Sequence, residues 1–196
     1  AVSQAPTLSA GDYVGLPRMF EQLCCDVLMR YLGDGSDGLR TGWPREDGLP
    51  KRFKALIGLL HQRSGEWDWS PKYGFPDDPD PRDVKDEGID VVVWKALGDM
   101  RCGQVFLVGQ CAAGKGWVGK VRDIALEKIR HSWAQLPCVL PVRALCVPFH
   151  IPNDAYFLQI NAEAGLTFDR VRIALTAAGQ TADGRRAELA RMIKLV

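Results

Sequence analysis

The sequence predicts an α/β fold, a central mixed β-sheet flanked by helices, on three observations. Two apolar runs, Ile89–Trp94 and Val105–Val108, are joined by a short connection containing Gly98 and Gly103 and read as a buried strand pair. A third apolar run at 139–151 (VLPVRALCVPFHI), with prolines near both ends, reads as another buried strand. Between and around these runs lie stretches with helical periodicity, the pattern of a sheet covered by helices.

Taken in order, residues 1–15 are small and polar and read as a flexible N-terminal arm. Met19, Phe20, Leu23, Val27, Leu28 and Tyr31 recur at helical spacing, and Gly33 follows as a stop, so a helix is predicted over 17–32. Residues 33–49 are rich in Gly and Asp and read as loop. Phe53, Leu56, Ile57, Leu59 and Leu60 predict a second amphipathic helix over 50–63. In 64–86, Pro71, Pro76, Pro79 and Pro81 stand too densely for helix or central strand. That segment reads as a long loop whose aromatic residues pack on the core.

Beyond the strand pair, Val118, Val121, Ile124, Ala125, Ile129 and Trp133 predict one helix over 117–135, ended by Pro137. Asn153 is placed to cap a helix running to Ala164, with Gly165 as its stop. Residues 166–178 fit strand or helix, and 183–196 read as helix carrying Arg185, Arg186, Arg191 and Lys194. The 196 residues suit a single domain, with a core over about 17–150 and a C-terminal helical extension over 153–196.

The net charge of +1 gives no global field for nucleic acid, though a local basic face remains open to it. Cys24, Cys25, Cys102, Cys111, Cys138 and Cys146 show no CxxC pair or zinc-ligand spacing. Several lie in apolar runs, as reduced core cysteines do, which predicts a reducing, cytoplasmic location. No apolar run approaches the length of a membrane span.

Chemistry concentrates at one end of the strand pair. Asp90 opens an otherwise apolar strand, where an unpaired carboxylate is costly to bury. Antiparallel pairing would bring it beside Gln110, at the end of the neighbouring run. Both offer oxygen, the ligand atom Mg²⁺ takes, and Lys115 would add a positive charge. Each residue also has a plainer reading. Asp90 could cap the turn or pair with Arg82 or Lys85, Gln110 could satisfy strand-end backbone groups, Glu21 could be a solvated helix residue, and the lysines could be surface charges.

Phe20-Glu21-Gln22-Leu23, then Gly88-Ile89-Asp90-Val91-Val92, then Gly109-Gln110-Cys111 after an apolar strand together resemble the PD-(D/E)xK nuclease superfamily, a restriction-endonuclease-like fold. The nearest likeness is to its Mrr-like branch, in which Gln replaces the second acid. The resemblance implies a DNA endonuclease of restriction or anti-phage defence, working with other subunits or domains of a defence complex. It implies Mg²⁺ held by Asp90, Gln110 and Glu21, with Mn²⁺ as an alternative because Gln removes a negative charge. The family's lysine falls at Ala112 here. Lys115 is the nearest lysine and the expected catalytic one, while Lys115, Lys120 and Arg122 are the expected DNA contacts. That displacement leaves a second reading open, an inactive nuclease-fold subunit that binds DNA or protein. A third comes from Gly109–Gly116, which fits the G-x-x-x-x-G-K phosphate loop except that Gly116 stands where a Ser or Thr should be.

Overall fold

Helix α1 (Leu16–Leu32) carries proline in its first turn and turns Phe20, Cys24, Cys25, Val27 and Leu28 inward. Proline there needs no amide donor, which suits the start of a helix. These coordinates are a computed structural model describing residues 3, 11–45, 48–67, 86–133 and 139–178. After α1 come β1 (Ser36–Arg40), α2 (Phe53–Ser64), β2 (Val91–Lys95), β3 (Phe106–Cys111), α3 (Leu126–Ser132), β4 (Val142–Cys146), α4 (Asp154–Ala164), β5 (Leu166–Phe168) and α5 (Arg170–Ala177).

The five strands form one mixed sheet in the order β1-β2-β3-β4-β5. β1, β2 and β3 pair antiparallel, and β4 and β5 extend the sheet in parallel. Side chains alternate between faces along each strand. Val91, Val93, Leu107, Ala144 and Cys146 pack with α1 and α5. Val92, Trp94, Phe106 and Val108 pack on the opposite face with α2 and with Ile129 and Trp133. A sheet covered on both faces explains why β2 is apolar at every position from Val91 to Trp94 rather than alternating. Leu145 and Val147 join Ile160 and Ala164 of α4 in a third, smaller cluster.

The strand pair and the first two helices lie where the sequence puts them. Asn153 caps α4 as expected, its Oδ1 accepting the Tyr156 amide at 2.8 Å. Three expectations need correction. The loop expected over 33–49 contains β1, an edge strand. There Gly38 lets α1 approach: a Cβ would stand 3.0 Å from Cys25 Sγ and from Met29 Cγ. The single helix expected over 117–135 is instead a 3₁₀ turn at Trp117–Lys120, a non-helical stretch, and α3. The C-terminal extension is not purely helical, since β5 adds a strand to the sheet before α5. The proline-rich stretch 68–85 and the helix expected over 183–196 lie outside the described residues. Among the described residues, no helix is long and apolar enough to cross a membrane.

Candidate functional site

The end of β1 is stapled to the start of β2. The Thr41 and Gly42 amides both donate to the Asp90 carbonyl, at 2.7 and 3.0 Å, and the Thr41 hydroxyl donates to the Ile89 carbonyl at 2.6 Å. Asp90 in turn brackets Gln110 on β3. Its amide donates to the Gly109 carbonyl at 2.9 Å, and its Oδ2 accepts the Cys111 amide at 2.7 Å. The neighbourhood expected for Asp90 and Gln110 is therefore present.

Glu21 joins Asp90 from α1. It is buried rather than solvated, and Arg40 Nη1 lies 2.6 Å from its Oε2. The same guanidinium donates to the carbonyls of Gly42 and Pro44, at 3.1 and 3.0 Å. Both carboxylates border Gly42. A Cβ there would stand 2.6 Å from Glu21 Oε2 and 3.0 Å from Asp90 Oδ1. The missing side chain leaves the space between the two acids open.

Electrostatics sets these acids apart from ordinary surface carboxylates. Burial, then the nearby Glu21 charge, pushes the Asp90 carboxyl up to about 8, against the pull of the Cys111 amide. Burial also raises Glu21, although Arg40 opposes it. Asp86 adds negative charge to both. Two close buried carboxylates resist simultaneous ionisation unless a cation joins them.

Gln110 lies on β3 between Gly109 and Cys111, the two residues bonded to Asp90. Its Nε2 donates to Asp123 Oδ2 at 3.1 Å. Because a carboxylate only accepts, that bond fixes which end of the amide is which. Gln110 Oε1 is then left buried with no hydrogen-bond partner. An orphaned buried acceptor, two acids sharing a space and an all-oxygen donor set fit a hard cation such as Mg²⁺ or Mn²⁺. Glu21, Asp90 and Gln110 are the residues that would hold it. Gly42→Ala should lower Mg²⁺ affinity at least tenfold with the fold retained, as read by calorimetric titration. Unchanged affinity would separate Gly42 from the site.

The basic residues sort differently from expectation. Lys115 lies exposed on the turn after β3. Lys120 sits 2.7 Å from Asp123 Oδ2, and its charge reaches both Asp90 and Asp86. Arg122 is drawn towards α4, with Nε 3.1 Å from Glu163 Oε2. Ala112, at the family's lysine position, is buried, and its amide continues the sheet by donating to the Cys146 carbonyl at 2.9 Å. Glu87 pairs with Lys128 at 2.6 Å. Arg82 and Lys85, the alternative partners for Asp90, lie outside the described residues.

The G-x-x-x-x-G-K stretch does not form a phosphate loop. Gly109, Gln110 and Cys111 belong to β3, and a four-residue 3₁₀ turn follows where that loop needs the start of an α-helix. Sequence reasoning missed Arg40, Gly42, Asp86 and Asp123 as parts of the site. Asp86, four residues before Asp90, was the one with a visible signal, in the acidic run ahead of the strand. No family model, curated protein or solved structure matches the chain.

Proposed function

We propose that this chain is a metal-dependent nuclease domain of the restriction-endonuclease-like type, hydrolysing phosphodiester bonds in DNA within a bacterial restriction or anti-phage defence system. One observation carries the reading: Glu21 and Asp90 share the space beside Gly42, next to the strand whose Gln110 Oε1 has no partner. The order α1-β1-α2-β2-β3-α3-β4, with an antiparallel trio extended by a parallel strand and helices on the sheet, is compatible with the α/β fold that the resemblance implies. The reduced thiols of Cys24, Cys102, Cys111 and Cys146 support a cytoplasmic location.

Bound there, Mg²⁺ or Mn²⁺ would supply Lewis-acid polarisation of a phosphoryl oxygen and a more acidic water. The residues do the rest. With its carboxyl pushed up to about 8, Asp90 would hold a proton near neutral pH and would release it to bind a cation. Arg40 keeps Glu21 aimed at the shared space. Lys120 takes the role expected of Lys115, since its charge is the one that reaches Asp90. There it would stabilise negative charge developing on the phosphate.

The inactive-subunit reading has its own support. Ala112 stands at the lysine position, and Lys120 is tied to Asp123. Cleavage of plasmid DNA with Mg²⁺ or Mn²⁺ separates the two. An active domain cuts, loses at least a hundredfold in rate with Asp90→Ala and about tenfold or more with Lys120→Ala, and keeps its rate with Lys115→Ala. A folded wild type that binds DNA without cutting it would establish the inactive reading. Cutting that survives Asp90→Ala would sink the proposed site.

A further inference from the structure

On the α1 side of the sheet three cysteines converge, one of them with its amide bonded to Asp90. Cys24 comes from α1, Cys111 ends β3 and Cys146 ends β4. The two strand residues are partners in the parallel register, so their side chains leave the same face of the sheet. Helix α1 lays Cys24 over them. All three sulfurs lie within 4.8 Å of one another. Cys24 and Cys146 are buried and Cys111 is half-buried, among Phe20, Val91, Leu107 and Phe168.

We propose that Cys24, Cys111 and Cys146 form a binding site for a thiophilic d¹⁰ metal ion, Cu(I) or Zn²⁺. Three sulfurs each ~2.3 Å from one ion stand ~3.8–4.0 Å apart, so the cluster closes on an ion with shifts of a few tenths of an ångström. An all-sulfur set selects soft ions and rejects Mg²⁺, while the oxygen set around Asp90 has the opposite preference. Three ligands in an apolar shell suit three-coordinate Cu(I) as they stand, whereas Zn²⁺ would need a fourth ligand beyond the three sulfurs. Binding converts the thiols to thiolates and releases their protons to solvent. The two sites share a residue: the Cys111 amide holds Asp90 Oδ2, so an ion on Cys111 Sγ stiffens the backbone that positions the carboxylate.

The test uses the full chain, reduced and kept free of oxygen. It is titrated with Zn²⁺, with Cu(I) and with Co²⁺ as a spectroscopic stand-in for zinc. One equivalent should bind through sulfur, Co²⁺ there should give a thiolate-to-metal charge-transfer band, and X-ray absorption with one equivalent of Cu(I) should show three sulfur neighbours. Cys111→Ser, at the least buried ligand, should weaken binding at least tenfold. The double variant Cys102→Ser/Cys138→Ser should leave it unchanged. No stoichiometric sulfur-bound ion on the folded wild type would overturn the proposal, as would sulfur-bound affinity that survives Cys111→Ser or is lost in the double variant. None of these readouts depends on DNA cleavage, so the outcome stands apart from the nuclease reading.

Discussion

Asp90→Asn should make the metal-free protein more stable at neutral pH while abolishing its Mg²⁺ binding. The native carboxyl is pushed to about 8 by burial and by Glu21, whereas its ordinary value is 3.8. Between those two values the folded chain holds a proton that the unfolded chain releases. Stability therefore falls as pH rises through this window and levels off above it. At neutral pH the cost is on the order of a few kcal/mol. The groups facing Asp90 include Glu21 and Asp86, which raise its pKa, and Lys120, which lowers it. Asparagine keeps an oxygen for the Cys111 amide and turns an NH₂ group towards Glu21, so repulsion becomes a hydrogen bond. For a chain of this size each kcal/mol moves the melting temperature by about 2–4 °C. Thermal melts in a chelator should show the variant ahead of wild type, with a gap that widens between about pH 5 and about pH 8. Added Mg²⁺ should stabilise wild type, more at the higher pH, and leave the variant unmoved. A gap independent of pH would mean that Asp90 is an ordinary carboxylate.

That trade between stability and binding marks which parts of the molecule a sequence can disclose. Helix α1 and the β2–β3 pair were legible because their patterns are local and dense: an apolar stripe ending at Gly33, and a strand apolar on both faces. β1 was not, because Ser36-Asp37-Gly38-Leu39-Arg40 has the composition of a turn. It becomes a strand by pairing with β2 and by admitting α1 against Gly38. The spacing over 117–135 misled for another reason. Val121 serves the cluster under α4, while Ile124, Ile129 and Trp133 serve the separate cluster under α2 on the same face of the sheet. One periodic pattern thus fed two cores, and Gly119 made a continuous helix weaker still. The site divides the same way. Asp90, Gln110 and Glu21 are visible as motif residues. Arg40 and Gly42 depend on β1, and Lys120 gains its place only once the expected helix gives way to a 3₁₀ turn.

Arg40→Met should cost about 3–5 kcal/mol of unfolding free energy, the range for removing one partner from a buried ion pair. Both side chains are shielded, at 2% and 11% exposure, and Glu21 would be left beside Asp90 with its closest counter-charge gone. The lost bonds to the carbonyls of Gly42 and Pro44 also loosen the segment that roofs the site. Neutralising the stranded acid should recover much of the loss, so Arg40→Met/Glu21→Gln should be clearly more stable than Arg40→Met alone. Urea unfolding of wild type, both single variants and the double variant closes that cycle. Additive losses would mean that the pair is not coupled. A divalent cation provides a sharper check. If Glu21 and Asp90 hold a common cation, the cation takes over part of the guanidinium's electrostatic role. Saturating Mg²⁺ should therefore stabilise Arg40→Met more than wild type. Equal stabilisation would remove Glu21 from the cation site and leave Arg40 as a strut for the β1–β2 junction.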